Sequence, residues 1–149
     1  SNISNVIKGI EEFSGVEGRL YRFISSNKSL VIDDSYNANP ESMKSAIHQL
    51  SLAKNTRIFV MGDMGELANR SREHHLNMFK LAKERDIEYL LYMGTFSKEA
   101  QSIFGQNCYT FNSVMELVNQ INKISNENTT ILIKASRYMN FDIIAQELK

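Results

Sequence analysis

Val31-Ile32-Asp33-Asp34-Ser35-Tyr36-Asn37-Ala38-Asn39-Pro40-Glu41-Ser42-Met43 decides how this chain folds. The run from Ser29 to Ile32 closes on two β-branched residues, as a strand does. Two aspartates then turn it polar, and Ser, Tyr and Asn make a loop. Pro40 is the only proline and stands where a first helical turn tolerates one. Beyond it Met43, Ala46, Ile47 and Leu50 recur at helical spacing. Strand, polar loop and helix make a βα unit. In open α/β sheets, ligands bind beyond the carboxyl ends of the strands, which is where this loop falls.

The same alternation runs outward from this unit. Upstream, Ile3, Val6, Ile7, Ile10 and Phe13 predict a short amphipathic helix ended at Gly15. Leu20–Ile24 reads as a strand, Ser25–Lys28 as a turn, and the pair as an antiparallel hairpin feeding the main sheet. Downstream, strands are expected at Arg57–Met61, Glu88–Met93, Cys108–Phe111 and Thr129–Lys134. Helices are expected from Ser71 (Leu76, Phe79, Leu81, Ala82), over Lys98–Phe104, after a Ser113 cap (Val114, Leu117, Val118, Ile121) and over Phe141–Leu148. Short apolar strands alternating with helices predict an α/β fold: a doubly wound, Rossmann-like, mostly parallel sheet of about six strands with one antiparallel strand.

Composition narrows the function. The 149 residues balance 17 Lys+Arg against 17 Asp+Glu, and no basic cluster is dense enough for nucleic acid. No apolar run has membrane-spanning length and none reads as a signal peptide, so a cytoplasmic location with no membrane partner is expected. The single Cys108 has no internal disulfide partner and reads as a small buried hydrophobe. The start at Ser-Asn, without Met, reads as a piece cut from a longer protein. Neither Gly-x-x-x-x-Gly-Lys-Ser/Thr nor Gly-x-Gly-x-x-Gly occurs, so phosphate-loop and dinucleotide fingerprints are missing.

Several groups carry chemistry, each with a plainer alternative. Asp33 and Asp34 serve either as strand-end turn residues or as ligand contacts. Tyr36, Asn37 and Asn39 are turn formers or pocket residues. Arg19 is a solvated strand-start arginine or an anion fork. Gly62-Asp63-Met64-Gly65-Glu66 is a tight turn or an acidic loop at a strand end. Lys134-Ala135-Ser136-Arg137 is a basic helix-entry loop capped by Ser136, or a carboxylate-capture site. Glu73-His74-His75 is no metal site, because neighbouring helical residues project about 100° apart. One of the two histidines should turn toward the sheet edge and the other toward solvent. No metal ligand is assigned.

Three of these segments carry a family resemblance. Asp34-Ser35-Tyr36-Asn37-Ala38-Asn39-Pro40, Met61-Gly62-Asp63-Met64-Gly65-Glu66-Leu67 and Lys134-Ala135-Ser136-Arg137-Tyr138-Met139 resemble, in order, motifs of the Mur ligase C-terminal domain. The resemblance runs from about Gly15 to the end. It implies residues 15–149 as that domain and 1–14 as the end of a preceding domain or a linker helix. The most similar branch joins D-alanyl-D-alanine to UDP-MurNAc-tripeptide through an acyl phosphate, in peptidoglycan precursor synthesis. The resemblance also implies ATP and Mg2+, held mainly by a central domain that carries the phosphate loop. Partners would be the protein's own N-terminal and central domains, in a monomer.

By the same resemblance Asp34 contacts the ATP ribose, while Asp33 tunes the loop. Tyr36 lies near base or ribose, with Asn37 and Asn39 orienting the loop, and Arg19 reaches the phosphates on domain closure. Asp63 and Glu66 are the candidate catalytic residues, steering the incoming ammonium group or taking up its proton. Asp63 also counts with His74, Lys134, Ser136 and Arg137 toward the substrate site, with Ser136 and Arg137 facing a carboxylate. A sister ligase adding another amino acid and a non-catalytic α/β ligand-binding module are the competing readings.

Overall fold

A computed structural model describes residues 16–149; the helix expected over 3–13, its Gly15 stop and the 1–14 segment lie outside the described residues. The elements are β1 (Tyr21–Ile24), β2 (Leu30–Asp34), α1 (Pro40–Ser51), β3 (Thr56–Gly62), α2 (Ser71–Glu84), β4 (Tyr89–Met93), α3 (Ser97–Phe104), β5 (Cys108–Thr110), α4 (Val114–Ile124), β6 (Thr129–Lys134) and α5 (Asp142–Leu148). Short 3₁₀ turns at Ala68–Arg70 and Arg137–Met139 precede α2 and α5. The strands form one sheet in the order β1-β2-β6-β3-β4-β5. β1 runs antiparallel to β2 and every other pair is parallel.

Alternation along each strand sorts the core into two layers. Ile32, Phe59, Met61, Leu90, Tyr92 and Leu132 face α1, α2 and α3. Val31, Ile58, Val60, Leu91, Ile131 and Ile133 face α4 and α5. Each large apolar side chain fully buried this way contributes about 1.5–3 kcal/mol relative to exposure. α1 starts as its sequence dictates. Asn39 Oδ1 accepts from Ser42 N at 2.8 Å, Ser42 Oγ accepts from Asn39 N at 3.1 Å, and Pro40 opens the first turn, a reciprocal cap.

β6 is inserted between β2 and β3, and this places the site. The chain leaves β2 and β3 toward one face, through α1 and α2, but leaves β6 toward the other, through α5. The carboxyl end of β6 is therefore a switch point, where loops part and leave a crevice. Several strand ends differ by one or two residues from the sequence reading, and two of them show the reason. β2 continues through Asp34, because Asp34 lies in register with Lys134 of β6. β4 begins at Tyr89, because the Glu88 carboxylate is turned onto Arg57, accepting from its backbone N at 2.9 Å and its Nε at 3.0 Å.

Candidate functional site

Ser136, just beyond β6, ties three loops together at the switch point. Its N donates to Asp63 O at 2.9 Å, its Oγ accepts from Gly65 N at 2.6 Å, and its Oγ lies 3.4 Å from Ala38 O. The hydroxyl makes no cap bond to the following turn, so the helix-cap reading gives way to that of a loop tie. Around it lies a cavity of about 430 Å³. The loop after β2 contributes Asn37, Ala38 and Asn39, the loop after β3 Gly65, Glu66 and Leu67, and the loop after β6 Ser136, Arg137 and Tyr138. Glu66 and Arg137 bring opposite charges to its wall, both exposed. Arg137 Nη1 rests on Asp142 Oδ1 at 3.1 Å, with the side chains 56% and 47% exposed. An ion pair this open contributes little, so a ligand can take the guanidinium from it.

A second cavity, about 260 Å³, adjoins the first across Asn37 and Asn39. It gathers all of Arg19, Asp34, Tyr36, Asn37 and Asn39, the residues that the family resemblance grouped, together with Ser42 and Lys134. The Arg19 guanidinium lies 4.0 Å over the Tyr36 ring, a cation–π contact that presents a planar donor fork beside an aromatic face. Asp34 is anchored rather than free: Oδ1 accepts from Leu20 N at 3.2 Å and Oδ2 from Lys134 Nζ at 2.6 Å. Lys134 also donates to Asn37 O at 3.0 Å, and its side chain is only 4% exposed. Lys134 is thus a buried brace for the β2 loop, not an open cation for a carboxylate. Asn39 spends its Oδ1 on the α1 cap. Asp33 is buried and accepts from Ser35 N and Oγ at 3.1 and 2.5 Å. Burial pushes its carboxyl above the usual range, against those bonds.

Asp63 lies beneath the first cavity, not in it. Its Oδ1 accepts from the Tyr92 hydroxyl, and its Oδ2 from Thr95 N and Oγ1 at 2.9 and 2.7 Å. Burial works to raise its pKa, but hydrogen bonds, those from Tyr92 and Thr95 among them, outweigh it and hold the carboxyl down at about 2. Such a group is a poor proton acceptor. The acidic loop therefore leaves Glu66 as its exposed carboxylate. Burial, with Asp63 second, raises the Tyr92 phenol in turn. His74 does not border the cavity: it lines a groove between α1 and α2 with Glu41, Lys44 and Asn77. Its neighbour His75 is fully buried and sits 3.3 Å from Asp63 Oδ1.

Sequence reading gave no site role to Tyr92, Thr95, His75 or Tyr138. His75 had a legible signal, since it shares one helical stripe with the buried Met78, Phe79 and Ala82. Tyr92 and Thr95 had none, being made partners of Asp63 only by the pairing of β3 with β4. Cys108 is half-buried, and burial pushes its thiol up to about 11. Among the described residues, no helix is long and apolar enough to cross a membrane.

The fold and its switch-point crevice define the class, and the chain belongs to the Mur ligase family: the profile described as "Mur ligase, glutamate ligase domain" matches residues 18–137. It is the C-terminal domain of that family. The UDP-N-acetylmuramoyl-tripeptide--D-alanyl-D-alanine ligase of Escherichia coli (strain K12) is 30% identical over 143 residues, covering 95% of this chain and 31% of that protein. A crystal structure of MurF from Acinetobacter baumannii aligns with TM-score 0.78 at 28% identity, over 99% of this chain and 33% of that one. MurF from Thermotoga maritima in complex with ADP shares the fold, with TM-score 0.78 at 22% identity over 91% and 31% of the two chains. The chain spans about a third of the length of these relatives.

Proposed function

We propose that this domain is the C-terminal part of an ATP-dependent ligase, cytoplasmic and monomeric, that joins D-alanyl-D-alanine to UDP-MurNAc-tripeptide. One observation carries the reading: two cavities of different chemistry share the Asn37–Asn39 wall at the switch point. The cavity holding Arg19 and Tyr36 offers an aromatic face and a five-donor fork, which fits the base or ribose and the phosphates of a nucleotide. ATP supplies the phosphoryl group that activates the tripeptide carboxyl, for which the dipeptide is the acyl acceptor. Among the described residues no three His, Cys, Asp or Glu side chains gather to hold a metal. The family resemblance implies that Mg2+, which is bound through one or two carboxylates and the substrate phosphates, is held mainly by the remainder of the ligase.

The other cavity fits a small zwitterion. Arg137 can pair bidentately with the free carboxylate of the dipeptide, while Glu66 on the opposite loop attracts its ammonium end. The ammonium group first gives one proton to solvent; the free amine then attacks the activated carboxyl, the acyl–phosphate bond breaks as the amide bond forms, and a second proton is shed. Asp63 is too acidic and too enclosed to take that proton, so Glu66 steers and solvent or the phosphate leaving group accepts. Excluding water from this step falls to closure of the domain on its neighbours. The test is ATP turnover by the full-length enzyme with UDP-MurNAc-tripeptide and a panel of amines. Turnover is expected with D-alanyl-D-alanine. Preference for a single amino acid would assign a sister ligase instead, and ligand binding without turnover would assign a binding module.

A further inference from the structure

Beneath the Glu66 loop, His75 makes a set of contacts that its burial alone does not require. Its Nδ1 lies 2.7 Å from Ser71 O, a carbonyl that can only accept, so the ring carries its proton there. Its Nε2 accepts from Met64 N at 3.0 Å. The next backbone donor along the loop, Gly65 N, goes to Ser136 Oγ at 2.6 Å. Two successive N–H groups are thereby turned inward, one onto α2 and one onto the loop after β6. The loop beyond them is costly to hold, because Glu66 and Ala68 both take left-handed backbone at φ +59° and +50°. Phe96 packs on the ring at 4.8 Å between centroids, and Asp63 and Tyr92 are the titratable groups on its inner side.

We infer that His75 is a positioning residue for the acceptor cavity: its unprotonated Nε2, by capturing Met64 N–H, fixes Gly65–Leu67 as the wall that faces Arg137. Calling that cavity the acceptor site rests on the proposed function above; the capture of Met64 does not. The two contacts of the ring can be separated by substitution. His75→Gln places an acceptor near the position of Nε2 and gives up the donor to Ser71. His75→Asn keeps a donor near Nδ1 and falls short of Met64.

Hydrogen exchange at the Met64 amide, in the full-length protein without substrate, reads the positioning directly. Exchange should quicken about fivefold or more in His75→Asn relative to His75→Gln, the scale of one lost hydrogen bond. Steady-state kinetics then read its consequence. His75→Asn should raise the KM for D-alanyl-D-alanine by a similar factor with the ATP KM within about twofold, and His75→Gln should recover most of that loss. Equal exchange in both variants, or faster exchange in His75→Gln, overturns the inference. The predicted exchange difference with no effect on any dipeptide KM would leave Met64 captured as inferred and refute the acceptor assignment instead.

Discussion

At the scale of single residues, the site is built from side chains that hold one another before they hold any ligand. Asp34 shows this most plainly, because its partner Lys134 is buried at 2.6 Å. Removing one member of a buried pair strands the other charge. Asp34→Asn should therefore cost on the order of 3 kcal/mol in chemical denaturation, and the double variant Asp34→Asn with Lys134→Met should recover most of it. A nucleotide-affinity measurement on Asp34→Asn alone would mix the two effects, so the double variant is the proper background for it. Asp63 makes a pH prediction. Its carboxyl is held at about 2 in the fold, against about 3.9 unfolded. The stability it contributes is complete above pH 4 and fades as pH falls from 4 toward 2. The gap in unfolding free energy between wild type and Asp63→Asn should shrink by about 2 kcal/mol between pH 5 and pH 2. Asp33, with its pKa raised, acts in the opposite sense and is common to both proteins, so it cancels in the difference. The residue types at the site were legible in the sequence, but their pairings were not. Lys134 and Asp34 stand a hundred positions apart, and only the β2–β6 register makes one the brace of the other.

Elements were more legible than contacts, because periodicity is local and register is not. The helix of the opening βα unit could be read from Pro40 and from the spacing of Met43, Ala46, Ile47 and Leu50, all of which are buried. The final helix was expected from Phe141, yet its first turn is preceded by a 3₁₀ turn that carries Arg137 to the cavity. That turn leaves no apolar period to read. The insertion of β6 between β2 and β3 also has no local signature. It depends on a close approach at the strand ends, and Gly62 permits it. A methyl at Gly62 would sit 2.6 Å from Ala135 Cβ and 2.8 Å from Phe141 Cζ. Gly62→Ala should accordingly lower stability by roughly 1–3 kcal/mol. Adding Ala135→Gly should return part of it, with Phe141 limiting the recovery. Thermal unfolding of the two variants checks both statements. If Gly62→Ala is as stable as wild type, the strand ends are looser than the packing implies.

For the whole molecule, the fold class could be read from alternating strands and helices and the family from three short motifs. The division of the crevice into two cavities could not, since it arises where three separate loops meet over Ser136. The domain is a third of the length of its relatives; in the function proposed for it, its own residues bind and orient, and the phosphate chemistry falls to the rest of the ligase. In the proposed function the cavity beside Glu66 and Arg137 takes the carboxylate of the dipeptide. Arg137→Lys keeps the charge and loses the fork, so the two can be told apart. The decisive measurement is the KM of the full-length enzyme for D-alanyl-D-alanine and for its C-terminal amide, in wild type and in Arg137→Lys. The expected result is a KM for the acid raised about tenfold by the substitution, a poor reaction of the amide with either enzyme, and an ATP KM nearly unchanged. An Arg137→Lys enzyme that still distinguishes acid from amide as well as wild type would contradict it.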